Sequence, residues 1–97
     1  MVELAEAQIN EFLATLPGWR LVERAGRQRI EKVYKTGNFA AGVDLINRLA
    51  PVAEQLNHHP DVSLTYSAVK VEITTHDAGG ITEKDFALAR RIELAAR

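Results

Sequence analysis

The stretch that decides the fold runs from Asp61 to Thr75 and reads DVSLTYSAVKVEITT. Apolar residues occupy every second position from Asp61 to Tyr66, and they do so again from Ala68 to Thr75. Successive side chains of a strand point to opposite faces, so each half predicts a strand with one apolar face. Strands of this kind are typical of antiparallel sheets that are covered on one side only.

The segment before this stretch predicts a helix. Apolar residues recur with helical spacing from Phe39 to Ala53, and Asn38 is a suitable N-cap. Pro51 interrupts the pattern, because proline lacks the backbone donor and clashes with the preceding turn, so we expect a kink or a break near Asn47 to Ala50. Pro60 is expected to end the segment.

The segment after it predicts a second, C-terminal helix. Thr82 and Asp85 have the spacing of a capping box, in which each residue's side chain satisfies a backbone N–H of the other. Apolar residues then recur with helical spacing from Leu88 to Ala96. Asp85 is therefore expected to act mainly as a cap.

The first third of the chain supplies the remaining elements. A helix is predicted from Leu4 to Leu16, and strands from Gly18 to Arg24 and from Gln28 to Thr36, joined by a hairpin at Ala25 to Arg27. Imperfect alternation between Ile30 and Val33 indicates a bulge or a misplaced boundary. The predicted fold is α+β in the order αββαββα, a single domain over residues 1–97 with helices packed on one face of a four-stranded antiparallel sheet.

Composition narrows the classes of function. The chain has 97 residues, no cysteine and a net charge of −1, which excludes thiolate catalysis and disulfides and argues against direct nucleic-acid binding. Glu3 and Glu6 argue against a secretion signal, and no apolar run is long enough for a membrane span. We expect a cytoplasmic protein whose thin core is supplemented by homo-oligomerisation.

The three histidines of the chain lie between positions 58 and 76. His58 and His59 end the predicted second helix, directly before Pro60, and His76 stands at the end of the predicted fourth strand. A helix end and a strand end can meet at one sheet edge, where imidazoles could donate and accept protons near neutral pH. Glu54, four residues before His58, is expected to reach that ring and fix its tautomer.

Two alternatives remain open from the residues alone. The run His58-His59-Pro60 is also typical of a helix C-terminus, where cationic side chains are favourable, and His76 could be a surface residue. A metal site is less well supported, since adjacent helical residues point about 100° apart and only Glu54 is an obvious further ligand.

Several motifs together resemble the signature of the pterin-4a-carbinolamine dehydratase family. The central motif joins Glu54, His58-His59-Pro60, Tyr66, His76 and Asp85 at the family's spacing. The stretches LPGW at residues 16–19 and TTHDAGGITEKD at residues 74–85 resemble further family segments, so that the resemblance covers nearly the whole chain.

The resemblance implies dehydration of a 4a-hydroxytetrahydropterin to a quinonoid dihydropterin, which recycles the pterin of aromatic amino-acid hydroxylases. It implies catalysis by His58, His59 and His76 with Glu54 in support, and no metal or redox cofactor, since the pterin is the substrate. Among the three, we expect His58 and His76 to be the acid–base pair and His59 to orient the substrate, and the alternative is a permutation of these roles. The pocket-lining residues that it implies are Asn57, Thr74, Thr75, Asp77 and, as an alternative to a role in the core, Trp19.

The same resemblance leaves other functions open. Some relatives are dimerisation partners of a transcription factor or are linked to the assembly of larger enzymes, so a non-catalytic dimerisation or assembly module is the alternative. The resemblance also implies a homodimer or homotetramer. A small metalloenzyme is a third possibility. Tyr66 is expected to contribute to packing rather than to catalysis.

Overall fold

The computed structural model describes residues 2–97, and its elements follow the order αββαββα. The helices are α1 (Glu6–Leu13), α2 (Phe39–Leu56) and α3 (Glu83–Ala95). The strands are β1 (Arg20–Arg24), β2 (Arg27–Lys35), β3 (Asp61–Leu64) and β4 (Ala68–Ile73), and a 3₁₀ turn follows at His76–Ala78. The predicted fold class is confirmed, with element ends shifted by up to three residues.

The four strands form one sheet in the order β1-β2-β4-β3, in which every neighbouring pair is antiparallel. Ala25 and Gly26 make the turn between β1 and β2, both with positive φ, as tight two-residue hairpins require. Pairing along β2 is regular on both sides, so the bulge considered near Ile30 is absent from this strand.

The core lies between the inner face of the sheet and the three helices. Ile30, Val71 and Ile73 from the central strands are buried there, and Phe86 of α3 stacks on Phe12 with ring centroids 4.7 Å apart. These positions alternate along the strands, as the period of two requires. The alternating apolar residues of β4 therefore face the helices, whereas Tyr66 lies beyond the end of β3 and is 72% exposed, so the packing role predicted for it is wrong.

Helix α2 lies across the inner face of the sheet, and its C-terminal end lies near the end of β4. The side chain of Asn38 accepts a hydrogen bond from the Ala41 N–H (2.8 Å), which confirms the predicted N-cap. The helix continues through Pro51, so the break considered at this point is wrong. Pro51 is exposed while Leu49 and Ala53 are buried, so packing holds the helix together where the backbone bond is missing.

The outer face of the sheet is polar and tightly ion-paired. Glu31 is only 1% exposed, because the guanidinium groups of Arg20 and Arg24 contact its two carboxylate oxygens. Burial raises the pKa of Glu31, but the two arginines outweigh it and hold the pKa below its usual value. Among residues 2–97 there is no helix long and apolar enough to cross a membrane.

Candidate functional site

A cavity of about 340 Å³ opens where the C-terminal end of α2, the end of β4 and the first turn of α3 meet. Its walls contain all three histidines together with four of the predicted binding residues. The lining residues are Asn57, His58, His59, Thr74, Thr75, His76, Asp77 and Lys84. The structure therefore brings together seven of the positions predicted from sequence.

Two local features of the backbone position these side chains at the cavity. Asn57 adopts the left-handed conformation (φ 48°) that ends α2, and asparagine tolerates this conformation better than most residues. The chain then turns so that His58 and His59 directly precede β3. After β4, a bridge between Thr75 and Gly80 closes the loop that carries His76.

His58 is anchored by a buried carboxylate. Its Nε2 lies 2.6 Å from Oδ1 of Asp85, a residue that is 0% exposed, while the His58 side chain is 12% exposed. The predicted contact between Glu54 and His58 is absent, because α2 ends at Leu56 and the left-handed Asn57 breaks the spacing of four residues. Asp85 takes the orienting role that the sequence had suggested for Glu54.

His59 pairs instead with Glu54. The Nε2 atom of His59 contacts Oε2 of Glu54. Both side chains are largely exposed, at 55% for His59 and 74% for Glu54. The carboxylate therefore orients the second histidine, and it does so at the surface.

His76 differs from the other two histidines. It is exposed, and its ring takes part in none of the hydrogen bonds formed within residues 2–97. Its backbone oxygen accepts a hydrogen bond of 3.5 Å from Arg27. Both ring nitrogens of His76 are therefore left for a ligand or for water.

The hydroxyl groups of the two cavity threonines already donate hydrogen bonds within the protein. The hydroxyl of Thr74 donates to the carbonyl of Gln28 (2.9 Å), and that of Thr75 donates to Oδ2 of Asp85 (2.8 Å). Both residues are buried. They can meet a ligand through hydroxyl lone pairs or backbone atoms, whereas Asn57 and Asp77 keep exposed polar side chains at the rim.

Trp19 is the predicted binding residue that the structure does not bring into the cavity. It is buried in the core, and its Nε1 donates to Oε1 of Glu93 on α3 (2.7 Å). The side chains of Lys32 and Tyr34 donate to the same oxygen. The turn at Gly18, with φ of 89°, leads Trp19 into the core, in agreement with the alternative of a core role.

Sequence reasoning missed Lys84 and gave Asp85 only half of its role. Lys84 supplies the one ammonium group among the side chains that line the cavity. Asp85 forms the predicted capping box with Thr82 and also contacts His58. The signal was present in the run Thr82-Glu83-Lys84-Asp85, since the first turn of a helix presents its side chains close to the end of a neighbouring strand.

An apolar cavity of about 290 Å³ lies beside this site and shares His59 with it, while Glu54 lines the apolar cavity. Its other walls come from α2 and the start of β3, through Ile46, Leu49, Ala50, Ala53, Pro60 and Val62. Over the described part of the chain no three histidine, aspartate or glutamate side chains are grouped so that they could hold a metal ion.

The polar cavity is suited to proton transfer on a small polar molecule. It combines two imidazoles held by carboxylates with a third whose ring is free. Imidazoles exchange protons near neutral pH, and the ammonium of Lys84 and the amide of Asn57 can orient polar groups.

Comparison with known proteins points to one family. The family described as pterin 4 alpha carbinolamine dehydratase matches residues 2–95. A Chloroflexus aggregans protein is 43% identical over 93 residues, which cover 96% of each chain. A Thermomicrobium roseum protein is 43% identical over 97 residues, covering 99% of this chain and 100% of that protein. Both relatives are provisionally named pterin-4-alpha-carbinolamine dehydratases.

Two solved structures share the fold. A crystal structure from Brucella melitensis, described as a transcriptional coactivator/pterin dehydratase, is 35% identical and superposes with a TM-score of 0.88 over 98% of this chain and 99% of that one. A pterin dehydratase-like protein, described as a RuBisCO assembly factor in the alpha-carboxysome, has a TM-score of 0.66 at 20% identity over 81% of this chain and 89% of its own. The second likeness concerns the fold alone.

Proposed function

We propose, since the chain belongs to the pterin 4 alpha carbinolamine dehydratase family, that it catalyses the dehydration of a 4a-hydroxytetrahydropterin to a quinonoid dihydropterin and water. The observation that carries the proposal is the convergence of His58, His59 and His76 on one cavity from two separate parts of the chain. A purely structural module has no need of three imidazoles in one polar cavity.

The reaction needs two proton transfers. The bond between C4a and the hydroxyl oxygen breaks, and an acid protonates that oxygen so that it leaves as water. A base removes the proton from the adjacent ring nitrogen, whose electron pair forms the new double bond to C4a. Each positioned transfer is worth about 10²–10⁴-fold in rate, so no metal or redox cofactor is required.

The three histidines receive different roles in this proposal. His58 and His76 form the acid–base pair, because one ring is held by the buried Asp85 and the other has both nitrogens free. His59, held by Glu54 at the surface, orients the pterin. Asn57 and Asp77 hydrogen-bond its polar edge, while Thr74 and Thr75 contact it as acceptors.

The cellular role follows from the same chemistry. Such a dehydration regenerates the pterin that aromatic amino-acid hydroxylases release as the 4a-hydroxy form, so we propose a role in pterin recycling, in the cytoplasm where such hydroxylases act. The ammonium of Lys84 is available for a polar substituent of the pterin.

A non-catalytic dimerisation or assembly module is the second candidate. The observation in its favour is the description of the Brucella melitensis relative as both a coactivator and a dehydratase. The exposed apolar side chains of Phe39 and Val43 on α2 also fit a protein contact. This function does not require the polar cavity.

The two candidates are separated by a turnover assay on the purified protein. We expect acceleration of 4a-hydroxytetrahydropterin dehydration, equal with and without a chelator. Loss of the rate on chelation would instead favour a metalloenzyme. A folded protein that gives no acceleration, yet forms a defined complex with another protein, would favour the assembly module.

A further inference from the structure

The carboxylate of Asp85 is the centre of a buried hydrogen-bond network that includes two residues of the cavity wall, His58 and Thr75. Its Oδ2 accepts from the Thr82 N–H (2.8 Å) and from the Thr75 hydroxyl (2.8 Å). Its Oδ1 lies 2.6 Å from Nε2 of His58. A helix cap needs only the first of these contacts, so capping explains one part of the network.

The positions of the protons in this network follow from the donors. The Thr75 hydroxyl has one proton and gives it to Asp85, so the contact of 2.8 Å between the two threonine hydroxyls requires Thr82 to donate to Thr75. The Thr82 oxygen in turn accepts from the Lys84 N–H (3.3 Å). Oδ2 already receives two donors, and an ionised carboxylate only accepts, so His58 donates to Oδ1 from Nε2.

We infer that Asp85 is a positioning residue that fixes His58 in the tautomer protonated at Nε2, so that Nδ1 accepts the proton from the pterin ring nitrogen. This inference deepens the proposed function and rests on it. The polarised chain from Thr82 through Thr75 to Asp85 holds the carboxylate rigidly, since every group in it has a partner. His76, with no such partner, is then the group that protonates the leaving hydroxyl.

The contrast with His59 supports this division of roles. Asp85 is fully buried, while Glu54 is 74% exposed at its side chain. A buried carboxylate without competing water selects one tautomer more strongly than an exposed one. The two carboxylate–histidine pairs of the site therefore differ in how firmly they hold a proton.

Asp85→Asn tests the inference because it preserves the cap and reverses the polarity at His58. The asparagine oxygen still accepts from the Thr82 N–H and the Thr75 hydroxyl, so its NH₂ group faces His58 and donates to Nε2. His58 must then carry its proton on Nδ1, which presents a donor to the cavity where the reaction needs an acceptor. Replacement of an orienting aspartate by asparagine in other triads acts through this same change of tautomer.

The measurement is ¹⁵N NMR of the imidazole nitrogens, combined with steady-state kinetics. We expect His58 to be protonated at Nε2 in the wild type above the pH at which the ring becomes neutral, and at Nδ1 in Asp85→Asn. The variant should lose about 10²–10⁴-fold in kcat, with KM little changed. Asp44→Asn, the same change at an exposed position of α2, is the matched control and should behave as the wild type.

Three results would overturn parts of this account. Protonation of wild-type His58 at Nδ1 contradicts the inference even if Asp85→Asn does not fold. Wild-type kcat in a folded Asp85→Asn contradicts it as well. A wild-type protein that fails to dehydrate the pterin refutes the proposed function, while the NMR result still decides whether Asp85 sets the tautomer of His58.

Discussion

Glu54 contacts the ring of His59, five residues further on, across the left-handed end of α2. His59 lines both the polar cavity and the apolar cavity, and Glu54 lines the apolar one, so the contact lies where the two cavities meet. Because the pair is largely exposed, water can replace either partner at small cost. The pair is therefore suited to adjusting the orientation of His59 more than to holding the fold.

Glu54→Ala should consequently be mild. We expect a reduction in turnover of less than about tenfold, since an exposed ion pair contributes roughly 0–1 kcal/mol. His59→Ala should weaken pterin binding at least as much as it slows turnover. Steady-state kinetics on both variants, with Gln55→Ala as a control for the same exposed helix end, checks the order of effects. A larger loss of kcat in Glu54→Ala than in His59→Ala would contradict the assignment.

The cluster around Glu93 gives a stability prediction. Burial would raise the pKa of Glu93, but hydrogen bonds from Lys32, Tyr34 and Trp19 outweigh it and hold the pKa below its usual value of 4.5. A lowered pKa in the folded state means that the ionised form stabilises the fold above pH 4.5. This contribution is lost as the pH falls through the folded-state value.

Glu93→Gln should lower the free energy of unfolding at pH 7 by about 1.5–3 kcal/mol, because hydrogen bonds to a charged group are replaced. The difference from the wild type should shrink as the pH falls below 4.5, because Glu93 is then progressively protonated in both states. Urea unfolding followed by the fluorescence of Trp19, the only tryptophan, measures both. Glu11→Gln, at an exposed position of α1, should leave the curve unchanged. A pH-independent difference would show that the charge of Glu93 is unimportant.

Replacement of Pro51 is expected to raise the free energy of unfolding, whereas replacement of Glu93 lowers it. This proline lies in the interior of α2, lacks a backbone donor and is exposed, so Pro51→Ala should restore a helical hydrogen bond without loss of core contacts. We expect the free energy of unfolding to rise by up to about 3 kcal/mol. Pro17→Ala, outside the helices, should lower it by about 0.4–1 kcal/mol through the entropy of the unfolded chain. Urea unfolding of the two variants measures both changes. A lower free energy of unfolding in Pro51→Ala than in the wild type would contradict this reasoning.

Homo-oligomerisation remains a prediction. Phe39 and Val43 are exposed one turn apart on α2, and β3 leaves one edge of the sheet unpaired within the described chain. We expect a dimer or a tetramer by light scattering at micromolar concentration, and Val43→Asp should reduce its mass. Leu94→Asp, at an exposed apolar position of α3, serves as the control and should not. A wild-type monomer near 10.8 kDa would contradict the prediction.

The sequence predicted the sheet well because its strands alternate. Every second residue is apolar from Val62 to Tyr66 and again from Val69 to Ile73, and a period of two is typical of strands. The continuity of α2 at Pro51 was harder to predict, because the chemistry of proline alone predicts a break. The helix stays continuous because Leu49 and Ala53 are buried, and their burial depends on tertiary packing.

The sequence predicted which residues form the site better than it predicted which of them contact one another. The spacing of Glu54 and His58 suggested a contact that the helix end at Leu56 prevents. Asp85 reaches His58 across 27 positions, and no local pattern specifies such a contact. Trp19 likewise reaches Glu93 across 74 positions, which explains why its place in the core could not be read from its neighbours.

The central claim is that His58 and His76 carry the two protons of the dehydration, and single-turnover kinetics on the alanine variants tests it most directly. With folding checked by circular dichroism, His58→Ala and His76→Ala should each slow the chemical step by about 10²–10⁴-fold, as removal of one positioned proton-transfer group does. Both should stay folded, because neither residue belongs to the buried core. Rates near that of the wild type in both variants would contradict the account.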